Sequence, residues 1–135
     1  MRAIPINFLA IVGAAAVKMA LGAFWYSPAL FLKSWQRLSG VTEQQMKAGM
    51  GKALAVDFVG SLLMAFVLVN AIGYAGAVTV PHGMAVGFWN WLGFIAVATI
   101  GTVTYEGKPF QLWLLNNSYL LLSVLVMSAI LAVWA

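Results

Sequence analysis

Long apolar runs fill most of this chain, broken by three interruptions, one long and two short. The runs are Ile4 to Trp25, Ala53 to Ile72, Met84 to Thr104 and Phe110 to Trp134. Each is close to the roughly 20 apolar residues that a helix needs to cross a bilayer. The runs lack the period-two alternation of barrel strands, and four segments are too few to close a barrel. In lipid only helices and closed barrels satisfy every backbone group, so each run is predicted to be a helix. The pattern therefore predicts an all-α fold: an antiparallel four-helix membrane bundle in a single domain, residues 1–135.

Composition supports lipid exposure. Of 135 residues, 64% are hydrophobic and only 7% are charged, against about 25% charged in soluble domains. A soluble fold of this size has too little interior for so much apolar surface, and the excess must face lipid. There is no cysteine, which excludes a disulfide framework and thiolate chemistry. The net charge of +4 reads as lysine and arginine at a membrane surface, not as nucleic-acid binding. Arg2, the apolar run after it, and Ala14, Ala16, Ala20 and Ala23 imitate a signal peptide. Lys18 interrupts that run, so the segment is read as a retained first span.

The connections differ in length and charge. Gly73 to Gly83 is short and uncharged. Tyr105-Glu106-Gly107-Lys108-Pro109 is a tight hairpin, with Gly and Pro as helix breakers. The first connection, 27–52, is long and holds Lys33, Arg37, Lys47 and Lys52 against Glu43. Together the first and third connections carry five Lys/Arg, whereas the opposite side has Arg2 alone. The positive-inside bias then puts both termini outside and loop 27–52 in the cytoplasm.

Within that loop, GAFWYSPALFLKSWQRLSG (Gly22 to Gly40) has its own pattern. Trp25 and Tyr26 fall where the first span meets the headgroups, as belt aromatics do. Pro28 ends or redirects the helix. Phe31, Trp35 and Leu38 then share one helical face, while Lys33, Gln36 and Arg37 lie off it. This predicts a short amphipathic helix in the interface, its cations near anionic lipid heads. It is read as an anchor: Trp25, Tyr26, Phe31, Lys33, Trp35 and Arg37. Thr42-Glu43-Gln44-Gln45 resembles a capping box for a helix leading into the second span.

Asn7, GAFWYSPALFLKSW, Tyr105-Glu106-Gly107 and the Asn116 to Tyr119 segment together resemble a family of small bacterial membrane proteins. The family is catalogued only as a domain of unknown function, with a G-x-x-W-Y-S-P signature after span one. The resemblance covers essentially the whole chain. It implies the same four-span layout and the inner (cytoplasmic) membrane of a bacterium, and it brings no catalytic residues.

Several polar groups sit in the apolar runs. Lys18 lies about 10 Å inside the cytoplasmic boundary and Asp57 about 7 Å from the same side, at 1.5 Å per residue. An isolated charge at mid-membrane costs about 2.5–3.5 kcal/mol on insertion scales. Matching depths suggest a Lys18–Asp57 pair; the alternative is a Lys18 stem that snorkels to the headgroups. Asn116, Tyr119 and Ser123 form a polar stripe on span four, with Asn117 beside it. Lys18, Asp57, Asn116 and Tyr119 are the candidate intramembrane cluster, with Glu106 a further candidate partner of Lys18. Asparagine in lipid usually bonds across to another helix, and Asn90 is expected to do so too.

Gly83-Met84-Ala85-Val86-Gly87 is a GxxxG motif that lets two backbones approach, within the chain or between chains. Ala16 and Ala20 offer a similar small face on span one. His82, the one histidine, reads as an interface or capping residue, since a single histidine without cysteine makes no convincing metal site.

There is no serine-histidine-acid set, HExxH, catalytic carboxylate pair or phosphate loop. No enzyme activity, cofactor or metal is therefore expected. Two functions remain. The first is a non-catalytic structural or accessory subunit, packing against membrane lipids and against itself or a larger membrane complex. The alternative is a small dimeric transporter or channel using Lys18 and Asp57.

Overall fold

The computed structural model describes residues 7–134. Among them all regular structure is helical. Five helices follow in chain order: α1 (Phe8–Trp25), α2 (Leu32–Ser39), α3 (Glu43–Ala75), α4 (Val80–Thr104) and α5 (Phe110–Trp134). Four of them, α1, α3, α4 and α5, are long and apolar enough to cross a membrane. Residues 4–6 of the predicted first span lie outside the described residues.

Local sequence explains the helix ends. Asn7 caps α1, its side chain accepting from the Ala10 N–H at 3.1 Å. Thr42 and Gln45 form a reciprocal capping box at the start of α3. Thr79 caps α4 by accepting from the His82 N–H, with Pro81 in the first turn, where its missing N–H is no loss. Gly40 and Gly76 close α2 and α3 in the left-handed conformation, which glycine adopts without a Cβ penalty.

The capped helix expected to lead into the second span is present and runs unbroken into it. Helix α3 begins at Glu43, ten residues before the apolar run at Ala53, and continues through Gly49 and Gly51. The capping box accounts for this early start: it satisfies two orphan donors and nucleates the turn. With 33 residues, α3 is about 50 Å long, well beyond the roughly 30 Å hydrocarbon core. Its amino-terminal part projects past the bundle, and residues 47–60 are exposed.

Helix α5 is the hub. It packs on α1, α3 and α4, and its first turns also receive α2. By contrast, α3 and α4 touch lightly. An open apolar groove of about 530 Å³ separates them, lined by Gly60, Leu63, Met64, Val67, Trp91 and Phe94. The core runs along the hub: Met127, Leu131 and Val124 meet Ala10 and Ala14 of α1 and Ala65 and Val69 of α3. On α1 the packed small residues are Ala10, Ala14 and Ala15, while Ala16 and Ala20 face outward.

The GxxxG contact is internal. A Cβ on Gly83 would stand 2.6 Å from Ala132 Cβ and 2.8 Å from the Ser128 carbonyl. One on Gly87 would meet the Ser128 side chain and, at 3.1 Å, the Val124 carbonyl. The motif therefore brings the α4 backbone against α5, as small residues do between membrane helices.

Helix α4 is not regular throughout. Trp91–Ala96 forms a π-helical turn, and the helix loosens again at Ile100. A π turn inserts an extra residue and rotates everything beyond it about the axis. Beyond this one, Thr99 reaches α5.

Candidate functional site

The signature GAFWYSP ends α1 and sets the polar cluster in place. Gly22 is the seat for Tyr119: a Cβ there would lie 2.7 Å from the Tyr119 hydroxyl. With that space open, Tyr119 lies across α1 and donates its hydroxyl to the Lys18 carbonyl at 3.0 Å, in a buried position. One helical turn on, Tyr26 folds back and donates its hydroxyl to Asn116 Oδ1 at 2.7 Å. The Tyr26 ring meets Tyr119 edge-on at 5.4 Å and Trp35 of α2 at 6.0 Å. Trp25 packs on Phe31 and, more distantly, Tyr119. Tyr26, read from sequence as a belt residue, is thus turned inward to hold α1, α2 and α5 together. Burial pushes its phenol well above the ordinary range, with Tyr119 and then Asp57 adding to the rise. Tyr26 therefore stays protonated and remains a donor.

Lys18 and Asp57 sit inside this frame. The Lys18 ammonium is 3.0 Å from Asp57 Oδ1 and 5.6 Å from the centre of the Tyr119 ring. The two ends of the pair differ in environment. The Lys18 side chain is 4% exposed, whereas the Asp57 side chain is 48% exposed on the outer face of α3. Lys18 does not snorkel: its ammonium is spent within the bundle. Glu106 forms no ion pair with it among the described residues. Ser61, one turn beyond Asp57, is buried and directs its hydroxyl at Met19 sulfur, 3.8 Å away.

A second polar knot joins α4 and α5 nearer the Glu106 hairpin. The Trp113 indole N–H donates to Thr99 Oγ1 at 3.0 Å, and the Thr99 hydroxyl lies 2.7 Å from the Ile95 carbonyl and 3.2 Å from Asn117 Oδ1. Asn117 in turn donates to the Trp113 carbonyl at 3.0 Å. Asn117 is 3% exposed, so this knot is internal. Sequence reasoning placed Asn117 beside the stripe but missed Thr99 and Trp113. A threonine in an apolar run and a tryptophan near a boundary give no signal of mutual contact.

The structure thus gathers Lys18, Asp57, Tyr119 and Asn116, and adds Tyr26 to them. It does not bring in Asn90 or Asn70. Each donates to the carbonyl four residues back on its own helix, at 2.8 Å, and so crosses to no other helix. Ser123 is fully buried with no hydrogen-bond partner. Phe31, Lys33 and Arg37 of the anchor segment are exposed, and Trp35 is half-buried against Tyr26. His82 is exposed at the start of α4. Chemically, the cluster is a neutralised ion pair bracketed by two phenols and an amide. It has no nucleophile beside a base.

Helices of membrane-crossing length, tied by polar contacts between them, define the class: an all-helical protein with membrane-span-like helices. The chain matches the family described as "Protein of unknown function (DUF1761)" over residues 9–132 and belongs to it. That is the resemblance seen at the Gly22 to Pro28 signature. No curated protein and no solved structure matches the chain.

Proposed function

We propose that this protein is a non-catalytic structural or accessory subunit of a membrane assembly, packing against itself or larger partners. Its setting is a bacterial inner membrane, with both termini outside and the 27–52 connection in the cytoplasm. That orientation rests on the lysine and arginine bias.

The observation that carries the reading is the asymmetry of the ion pair. Lys18 is enclosed, while about half of the Asp57 side chain is open on an apolar helix face that no other described residue covers. An intramembrane carboxylate facing lipid is costly, and such groups ordinarily face protein. A helix from another subunit laid on α3 beside Asp57 removes that cost. The cluster itself is closed by hydrogen bonds, which suits an interlock better than a pathway.

Native mass spectrometry of the protein drawn from its own membrane in mild detergent tests this. The expected result is a fixed-ratio assembly that an Asp57→Leu variant weakens. A monomer before and after the substitution overturns it. The open carboxylate also favours one second reading, a dimeric transporter in which two Asp57 side chains face a shared path. Solute flux in vesicles reconstituted with the protein, abolished by Asp57→Asn, is the result that would select it.

A further inference from the structure

A small polar recess of about 170 Å³ lies between the last turns of α4 and the first turns of α5. It is separate from the Lys18–Asp57 pair. Thr99, Thr102, Lys108, Asn116 and Asn117 supply its polar wall, and Leu112 and Leu120 its apolar side. Its character follows from counting donors and acceptors. Asn116 Oδ1 already accepts from Tyr26, Thr99 Oγ1 accepts from Trp113, and the one Thr99 hydroxyl proton lies between the Ile95 carbonyl at 2.7 Å and Asn117 Oδ1 at 3.2 Å. The Thr102 hydroxyl proton is engaged by the Thr99 carbonyl at 2.9 Å.

Two donors have no partner. The Asn116 amide nitrogen has no partner among the described residues, because the Tyr26 bond fixes which end of the amide faces Tyr26. Lys108 has no carboxylate within 4.0 Å among the described residues, although Glu106 is two positions away. A wall with one free ammonium, one free amide N–H₂ and no carboxylate is complementary to an oxyanion. The leucine side suits something with an apolar continuation.

We infer that this recess binds a phosphate oxyanion, gripped by Lys108 and Asn116. A phospholipid headgroup and free inorganic phosphate both present that group. The apolar side favours the lipid, with its glycerol against Leu112 and Leu120. The recess is at the hairpin on the side carrying Lys33, Arg37, Lys47 and Lys52, where anionic headgroups gather. A headgroup with its own cation gains less, since no carboxylate lines the recess.

The test uses the full chain in nanodiscs with phosphatidylglycerol or phosphatidylcholine, with bound lipid counted by native mass spectrometry after extraction. Lys108→Gln removes the charge at an exposed position. Asn116→Asp keeps the oxygen that Tyr26 needs and removes the free N–H₂. The expected result is preferential retention of phosphatidylglycerol, reduced about tenfold by each substitution, the scale of one lost hydrogen bond to a charged group. Loss of retained lipid on adding millimolar inorganic phosphate would keep the anion site but make free phosphate its ligand. Equal retention of both lipids without competition by phosphate, or retention unchanged in both variants, overturns the assignment. Circular dichroism of each variant separates loss of binding from loss of fold.

Discussion

Removing the Asp57 carboxylate while keeping the Lys18 ammonium isolates the ion pair between α1 and α3. In Asp57→Leu the Lys18 side chain, 4% exposed in the parent, loses its counter-charge 3.0 Å away. Breaking one side of a buried pair costs about 3–5 kcal/mol, because a charge is left uncompensated. The opposite substitution, Lys18→Met, leaves a carboxylate that is already half open. It can turn outward, so a smaller loss of about 1–2 kcal/mol is expected. The double variant Lys18→Met/Asp57→Leu has no charge to strand and should return to within about 1 kcal/mol of the parent, as apolar replacements of buried pairs do. These values imply a coupling of at least about 3 kcal/mol, more than a hundredfold in the unfolding equilibrium. Unfolding in mixed micelles of rising dodecyl sulfate content, followed by fluorescence of the six tryptophans, provides the measurement. If the double variant loses as much as the two singles added together, the two groups do not stabilise each other and the reasoning fails.

Three further outcomes follow from the geometry. Gly87→Leu should separate α4 from α5 and cost about 2 kcal/mol or more through overpacking, whereas Gly51→Ala, where a Cβ meets nothing within 4 Å, should stabilise α3 by about 0.5–1 kcal/mol. The same micelle titration checks both. Tyr26→Phe leaves Asn116 Oδ1 without its donor, a loss of about 1–3 kcal/mol. The Tyr26 pKa is raised in the folded state, so its contribution is full below the ordinary phenol value of about 10 and is lost as the pH rises from there. The parent should therefore weaken above about pH 10 more steeply than Tyr26→Phe; parallel curves would contradict the buried phenol. Thr42→Ala should remove about 1 kcal/mol of capping from a segment outside the bundle. Amide exchange should quicken at residues 43–46 with the micelle midpoint unchanged.

Much of this layout was legible because depth along a helix follows from counting residues. Seven positions separate Lys18 from Trp25 and five separate Lys52 from Asp57, which is enough to put both charges at one level. Rotation about the axis is harder. The Asn116, Tyr119 and Ser123 spacing identified a stripe, but the stripe meets several partners: Tyr26, the Lys18 backbone and, for Ser123, no polar group at all. Asn90 shows why, since a polar side chain in lipid can satisfy itself on its own helix. Thr99 was hidden for another reason. The π turn at Trp91–Ala96 breaks the 3.6-residue register, so any face drawn with regular spacing is wrong beyond it. The bond from Tyr26 to Asn116 was not legible because an aromatic at a span's end is normally read as a belt residue alone. Only Gly22, four residues earlier, hinted that another ring needed the space. The early start of α3 was present in the Thr42 to Gln45 box, but hydropathy alone does not register helix that continues into water.

The hub position of α5 has a consequence for how the protein is made. Chains emerge from the ribosome amino terminus first, so the helix on which α1, α3 and α4 all lean is the last to arrive. Until then Lys18 and Asp57 have each other, but Tyr119 and Asn116 are absent and Gly83 and Gly87 face lipid. The first three spans must wait in the bilayer as inserted but loosely associated helices. Biogenesis is therefore closed by its final step. A chain stopped before Phe110 keeps most of its apolar residues yet lacks the surface that organises them, and it is the form a membrane quality-control protease should remove.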